Sequence, residues 1–254
     1  MADLFVAEHG GPEGAVRVVL VHGSLDRSTA FLRVARELSD LRVIRYDRRG
    51  YGKSLAAGAA PSLDTQIDDL ASVVGDEPAV VVGHSLGGVI ALTFASRHPE
   101  RATAVGAYEA PMPWLPRWPS NSAGGQAIGG SHDDGDAAEG FMRRMVGDER
   151  WEQLPASTKA QRRAEGPALV AELLSLRPPN LAPFDLATFP VPVVAGHGDE
   201  SRPHHKESAR MLAAQVPHGE LVVIEGASHG AHLSHPVQFA DLVRRAAARG
   251  WSPK

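Results

Sequence analysis

The 254-residue chain contains no cysteine. That excludes disulfides, thiolate catalysis and cysteine-ligated zinc. It also has no stripe of Lys and Arg with interleaved aromatics, and its formal net charge is -4. A nucleic-acid partner is therefore not expected. No window reaches the run of about 18 apolar residues that a bilayer span requires. The N-terminus, M-A-D-L-F-V-A-E-H, has neither a basic leader nor a long apolar stretch, so no signal peptide is legible. The expectation is a soluble, cytoplasmic protein with no membrane association. What is present is material for a core: 43% of residues are hydrophobic, against 22% charged.

The stretch that organises the rest is Val80 to Gly88, V-V-V-G-H-S-L-G-G. An apolar run with the pattern of a buried strand rises into Gly83. Ser85 follows, then Gly87 and Gly88, and a helical pattern runs from Val89 to Ser96. G-x-S-x-G between a strand and a helix is the signature of a nucleophile elbow. The chain passes close to itself on both sides of the serine, where only residues lacking a Cβ fit. Ser85 is expected at a strained tip, facing the N-terminus of the following helix.

Around this elbow the chain alternates. Strands are expected at Val16–Val21, Leu41–Tyr46, Ala102–Tyr108, Val191–Ala195 and Leu221–Glu225, with a short apolar segment at Asp3–Ala7. Helical periodicity appears at Ser28–Leu38, Leu63–Val74, Lys206–Val216 and Pro236–Ala248. Such alternation predicts an α/β fold with a mostly parallel sheet covered on both faces. Ligands in such sheets bind beyond the carboxyl ends of the strands. Between Glu109 and Thr188 the alternation fails. Four prolines surround Trp114 and Trp118, an acidic, small-residue tract follows at 121–136, and helical patterns run from Glu139 to Leu154 and from Pro167 to Arg177. We read residues 111–185 as a helical cap inserted into a core made of 1–110 and 186–254. Trp114, Trp118 and Met145 are its candidate pocket residues.

A serine hydroxyl needs a base, and the base needs an orienting acid. In the order nucleophile, acid, histidine, the strand-end loops offer Asp199 in G-H-G-D and His229 in G-A-S-H. His232 is the competing base. Glu200 and Asp185 compete for the acid, with Glu109 and Asp133 more remote because some acids of this kind follow an earlier strand. An oxyanion hole would use the backbone N–H groups of Leu86 and of Ser24. His22 reads as a loop brace.

These motifs together resemble the α/β-hydrolase superfamily over essentially the whole chain, in its branch of small capped serine hydrolases. The matching marks are H-G-S at 22–24, Y-D-R-R-G-Y-G-K-S at 46–54, G-H-S-L-G-G at 83–88, G-H-G-D at 196–199 and G-A-S-H-G-A-H-L-S-H-P at 226–236. The resemblance implies Ser85 as nucleophile, Asp199 as acid, His229 as base, Ser24 and Leu86 at the oxyanion hole, and Asp47 and Arg49 as scaffolding. It implies a carboxylic ester hydrolase working through an acyl-enzyme on a small-molecule ester or related acyl substrate, with no cofactor and no metal. Lactone, thioester and amide hydrolysis, or cofactor-free perhydrolysis, share this triad and stand as alternatives. A ligand-binding relative without turnover is a further one. Epoxide and haloalkane chemistry would place Asp where Ser85 stands.

Overall fold

The computed structural model describes residues 3–129, 133–176 and 182–250. Parts of the acidic tract, and Arg177 at the end of the second expected cap helix, lie outside the described residues. The strands are β1 (Val6–His9), β2 (Arg17–Val21), β3 (Arg42–Tyr46), β4 (Ala79–His84), β5 (Ala102–Tyr108), β6 (Val193–Gly198) and β7 (Gly219–Ile224). They form one seven-stranded sheet in the order β1-β3-β2-β4-β5-β6-β7. Only β1 is antiparallel, paired with β3 through Val6 opposite Tyr46 and His9 opposite Val43. The other pairings are parallel.

The helices in chain order are α1 (Leu32–Glu37), α2 (Leu63–Val74) and α3 (Leu86–Arg97), then α4 (Ala123–Gly129), α5 (Asp134–Val146), α6 (Asp148–Glu152), α7 (Ala156–Ala164) and α8 (Gly166–Ser175), and finally α9 (Pro203–Gln215), α10 (Ala231–Ser234) and α11 (Pro236–Gly250). Successive strand residues face opposite sides of the sheet. Val18, Leu20, Val80, Val82 and Ala104 pack with Phe31, Val34, Phe239, Leu242 and Val243 from the α1 and α11 side. Val19, Val21, Val81, Val105 and Ala107 pack with Ile67, Leu70, Val89, Ile90 and Leu212 from α2, α3 and α9. All six residues of β4 are buried. A central parallel strand covered on both faces has no polar side to show, which is why its sequence is an unbroken apolar run.

Helices α4 to α8 form the cap, inserted between β5 and β6. The single helical pattern expected from Glu139 to Leu154 is two helices, because Gly147 at φ 89° closes α5 and starts α6 in a new direction. The cap has a small core of its own: Ala127, Ala138, Ala168 and Leu169 pack with Leu25 and Tyr51 from the sheet domain. Two buried carboxylates fasten it below. Glu165 accepts from Arg27 Nη2 at 2.9 Å and from the Gly52 N–H at 3.0 Å. Glu172 accepts from Arg48 Nη1 and from the Tyr51 hydroxyl, each at 2.7 Å. Among the described residues, no helix is long and apolar enough to cross a membrane.

Candidate active site

Ser85 sits between β4 and α3 at φ 54°, ψ −127°, a backbone conformation an L-residue rarely holds. The tip is forced by close approach. A methyl on Gly83 would run into the Gly87 carbonyl, and one on Gly87 into that of Val21. The Ser85 N–H donates to the Tyr108 carbonyl at 2.8 Å, tying the elbow to the end of β5. As the first residue of α3, Leu86 has an N–H with no carbonyl one turn earlier to receive it.

His229 lies in the loop after β7. Its loop is held from two sides: the Tyr108 hydroxyl donates to the Ser228 carbonyl at 2.9 Å, and His84 Nε2 lies 2.8 Å from the His229 carbonyl. The carboxylate on His229 is Glu109, which corrects the expectation of Asp199. Glu109 Oε2 is 2.7 Å from His229 Nδ1. An ionised carboxylate can only accept, so Nδ1 carries the proton in this contact. Glu109 is fully buried. Its other oxygen accepts from the Gly198 N–H at 3.1 Å and from the Ser201 hydroxyl. Burial pushes its pKa up, but the bond from His229, and then that histidine's charge, outweigh this and draw it down from 4.5 to about 2.

Asp199 falls outside this arrangement for a geometric reason. Strand β6 ends at Gly198, and the next residue has already turned outward, leaving Asp199 exposed with Lys206 Nζ on its backbone carbonyl at 3.2 Å. Glu109 follows directly on β5 at φ 50°, a left-handed turn that keeps the chain at the sheet top. Among the other candidate acids, Glu200 and Asp185 are both exposed, Asp185 accepts from the Ala187 N–H and the Thr188 hydroxyl, and Asp133 caps α5 by accepting from the Asp136 N–H. The competing base, His232, is engaged elsewhere, with Nε2 3.0 Å from Asp26 Oδ2.

The loop carrying Ser24 is held by a buried guanidinium that the sequence reading passed over. Arg48 Nε donates to the His22 carbonyl and Nη2 to the Gly23 carbonyl, both at 2.9 Å. His22 braces the same turn. Its Nε2 accepts the Arg48 N–H at 2.8 Å and its Nδ1 lies 2.8 Å from the Gly23 oxygen. Burial, and then the adjacent Arg48 charge, lower its pKa to about 3, so it stays neutral. In a trans peptide the C=O and the following N–H point in opposite directions. With the Gly23 carbonyl turned onto Arg48, the Ser24 N–H is turned the other way. Asp47 and Arg49 brace the neighbouring loop. Asp47 accepts from the Ser28 and Lys53 N–H groups at 2.7 and 2.8 Å, and Arg49 pairs with Asp69 at 2.6 and 2.7 Å. The second R of D-R-R-G was visible in the sequence. The first, Arg48, needed its partners in space to be recognised.

Ser85, Leu86, Ser24 and His229 share the wall of one cavity of about 660 Å³. Trp114, Trp118 and Met145 line it too, together with Phe141, Leu173 and Leu176 from the cap. No Asp, Glu, Lys or Arg is among its described lining residues. Trp114 packs edge-on against Phe184 at 5.7 Å, whereas Met145 is 40% exposed at the rim. A column of imidazoles runs beneath. His205 stacks on His229 at 4.6 Å, His84 lies 4.7 Å on its other side, and His232 lies 4.1 Å beyond. Burial lowers the pKa of His205 to about 2 and that of His84 well below the usual 6.5. Ligand atoms of Glu109, His205 and His229 lie within 4.8 Å of one another, as do those of Asp26, His84 and His232. The His205 and His229 rings are stacked with planes only 27° apart, so their lone pairs lie in separate, nearly parallel planes.

Residues 18–242 match the alpha/beta hydrolase family. The chain is 30% identical over 217 residues to a pimeloyl-[acyl-carrier protein] methyl ester esterase of Aromatoleum aromaticum, covering 76% of this chain and 82% of that protein. It is 36% identical over 107 residues to the lipase LipV of Mycobacterium tuberculosis, a match spanning 41% of this chain and only 40% of the lipase. A thermophilic esterase from Thermogutta terrifontis superposes with a TM-score of 0.73 at 20% identity, over 98% of this chain and 94% of that one, a likeness of fold.

Proposed function

The chain belongs to the alpha/beta hydrolase family and is a carboxylic ester hydrolase, and we propose that Ser85, His229 and Glu109 carry its reaction. The observation that bears most weight is the 2.7 Å bond between His229 Nδ1 and Glu109 in the wall that also holds Ser85. Ser85 Oγ attacks the ester carbonyl while His229 Nε2 takes its proton. Glu109 fixes the tautomer and stabilises the imidazolium. The N–H groups of Ser24 and Leu86 receive the charge on the tetrahedral oxygen. His229 then returns the proton to the leaving alcohol, and a water releases the acid by the same route.

The uncharged cavity supports an apolar acyl group. Nothing in its wall would neutralise a carboxylate at the far end of a buried chain, and an unpaired buried charge is costly. We therefore read the preferred substrate as a neutral-acyl ester.

A fluorophosphonate that phosphonylates reactive serines tests the reading. It should label the wild type stoichiometrically and leave Ser85→Ala unlabelled, and His229→Ala should lose nearly all ester turnover while remaining folded. Stoichiometric labelling of the Ser85→Ala variant would reject Ser85 as nucleophile.

A further inference from the structure

Behind His229 lies a second cavity, of about 360 Å³. It shares seven wall residues with the first, His204, His205, His229 and Met145 among them, but it does not reach Ser85, Leu86 or Ser24. Its chemistry is different. Arg144 on α5 and Arg202 at the start of α9 line it, with Glu200 as its one carboxylate.

The Arg144 guanidinium is held by uncharged acceptors, the Gln126 side-chain oxygen and the Asn121 carbonyl. Among the described residues, no carboxylate lies within ion-pair distance of Arg144 or Arg202, although Glu200 shares the wall. Burial lowers the pKa of neighbouring His204 first, and the charges of Arg202, His229 and Arg144 lower it further against the opposing Glu109. The cavity is thus a polar, net-cationic recess that opens on the proposed general acid.

From this placement we infer that the second cavity takes the alcohol half of the substrate, and that this alcohol carries an anionic group, a carboxylate or a phosphate. The inference rests on the proposed reaction. There the Ser85 Oγ–acyl bond forms, the bond from acyl carbon to alcohol oxygen breaks, and the proton held on His229 Nε2 passes to that oxygen. The leaving oxygen must therefore lie against His229, with the acyl chain in the uncharged cavity on the Ser85 side. The remainder of the alcohol extends beyond His229, where the two guanidinium groups wait. A guanidinium binds carboxylate and phosphate with paired, charge-assisted hydrogen bonds.

The test uses butyryl esters of 4-hydroxybenzoate and of 4-hydroxyphenyl phosphate, with the butyryl ester of 4-hydroxybenzamide as the neutral reference. Each kcat/KM is divided by that ester's hydroxide-catalysed rate, which removes differences in leaving-group reactivity. At least one anionic ester should exceed the neutral one about tenfold. That ratio should fall to about threefold or less in Arg144→Gln and in Arg202→Gln, and it should shrink in 0.5 M salt through screening. Because the ratio is taken within one protein, partial unfolding of a variant cancels. Equal rates for anionic and neutral esters in the wild type, or a ratio unmoved in both variants, would overturn the subsite. Failure to hydrolyse all three esters would instead overturn the ester-hydrolase reading beneath it.

Discussion

Glu109 combines full burial with a carboxyl pKa drawn down to about 2, and this has a consequence for stability. A carboxylate whose folded-state pKa lies below its usual 4.5 stabilises the native state above that pH, and the benefit is lost as pH falls toward 2. Denaturant midpoints of the wild type should therefore fall more steeply between pH 5 and pH 2.5 than those of Glu109→Gln, which has no proton to bind at that site. Parallel curves would show that Glu109 does not titrate in this window. A second residue-level outcome concerns His232. Its ring is committed to Asp26, so His232→Ala should keep a substantial fraction of turnover per labelled serine, measured as kcat against active-site titre. The elbow and the proposed base were legible in the sequence because both are local patterns: a glycine-flanked serine after an apolar run, and a histidine shortly after the last strand. The acid was not, because two strand ends offered a carboxylate. The choice between them turns on where β6 stops and on the left-handed turn at Glu109. Neither is written in residue type.

At the scale of elements, α8 reaches through Glu172 and Arg48 to the loop that carries Ser24. If the Gly23–Ser24 peptide supplies an oxyanion donor, loosening this chain should weaken binding of the tetrahedral oxygen more than binding of the acyl group. Glu172→Leu leaves the Arg48 charge buried without its partner and should lower kcat by one to two orders of magnitude with little change in KM, the scale seen when one oxyanion donor is removed. Glu172→Gln, which still offers an acceptor, should restore part of the loss. The discriminating readout is the affinity for a trifluoromethyl ketone, which forms an oxyanion on Ser85, relative to the parent methyl ketone. That ratio should drop in Glu172→Leu, whereas a merely destabilised cap would lower both affinities together. The cap helices themselves were only partly legible. Periodicity located α8 and the apolar face of α5. It ran across Gly147, however, because the sequence of hydrophobic residues does not report the φ 89° turn that redirects the chain. Helix α7 has no buried residue, so it left no periodic apolar signal to read.

At the scale of the molecule, the sheet domain supplies every proposed reacting group, and the cap supplies much of the cavity's apolar wall. The alternation of strands and helices was enough to predict this α/β architecture, since a parallel sheet needs a covering helix between successive strands. The antiparallel edge strand β1 was not distinguished, because a short apolar segment carries no direction. The division of labour makes substrate length a property of the cap. Trp114→Ala opens space beside Phe184, and each methylene that gains or loses cover changes binding by about 0.8 kcal/mol. The kcat/KM ratio between two-, four- and eight-carbon acyl esters should therefore shift several-fold in this variant, while fluorophosphonate labelling of Ser85 stays intact. A uniform loss at every chain length would instead assign Trp114 to packing alone.

The most direct measurement compares two carboxylates in one assay: kcat of Glu109→Gln and of Asp199→Asn on a butyryl ester, each normalised to folded protein. Removing the acid from a serine triad costs about 10⁴ in turnover. A loss on the order of 10³ to 10⁴ is expected for Glu109→Gln, and a change within a few-fold for the exposed Asp199→Asn. If Asp199→Asn is the inactive variant and Glu109→Gln keeps its rate, His229 is oriented by a different carboxylate and the proposed triad is wrong.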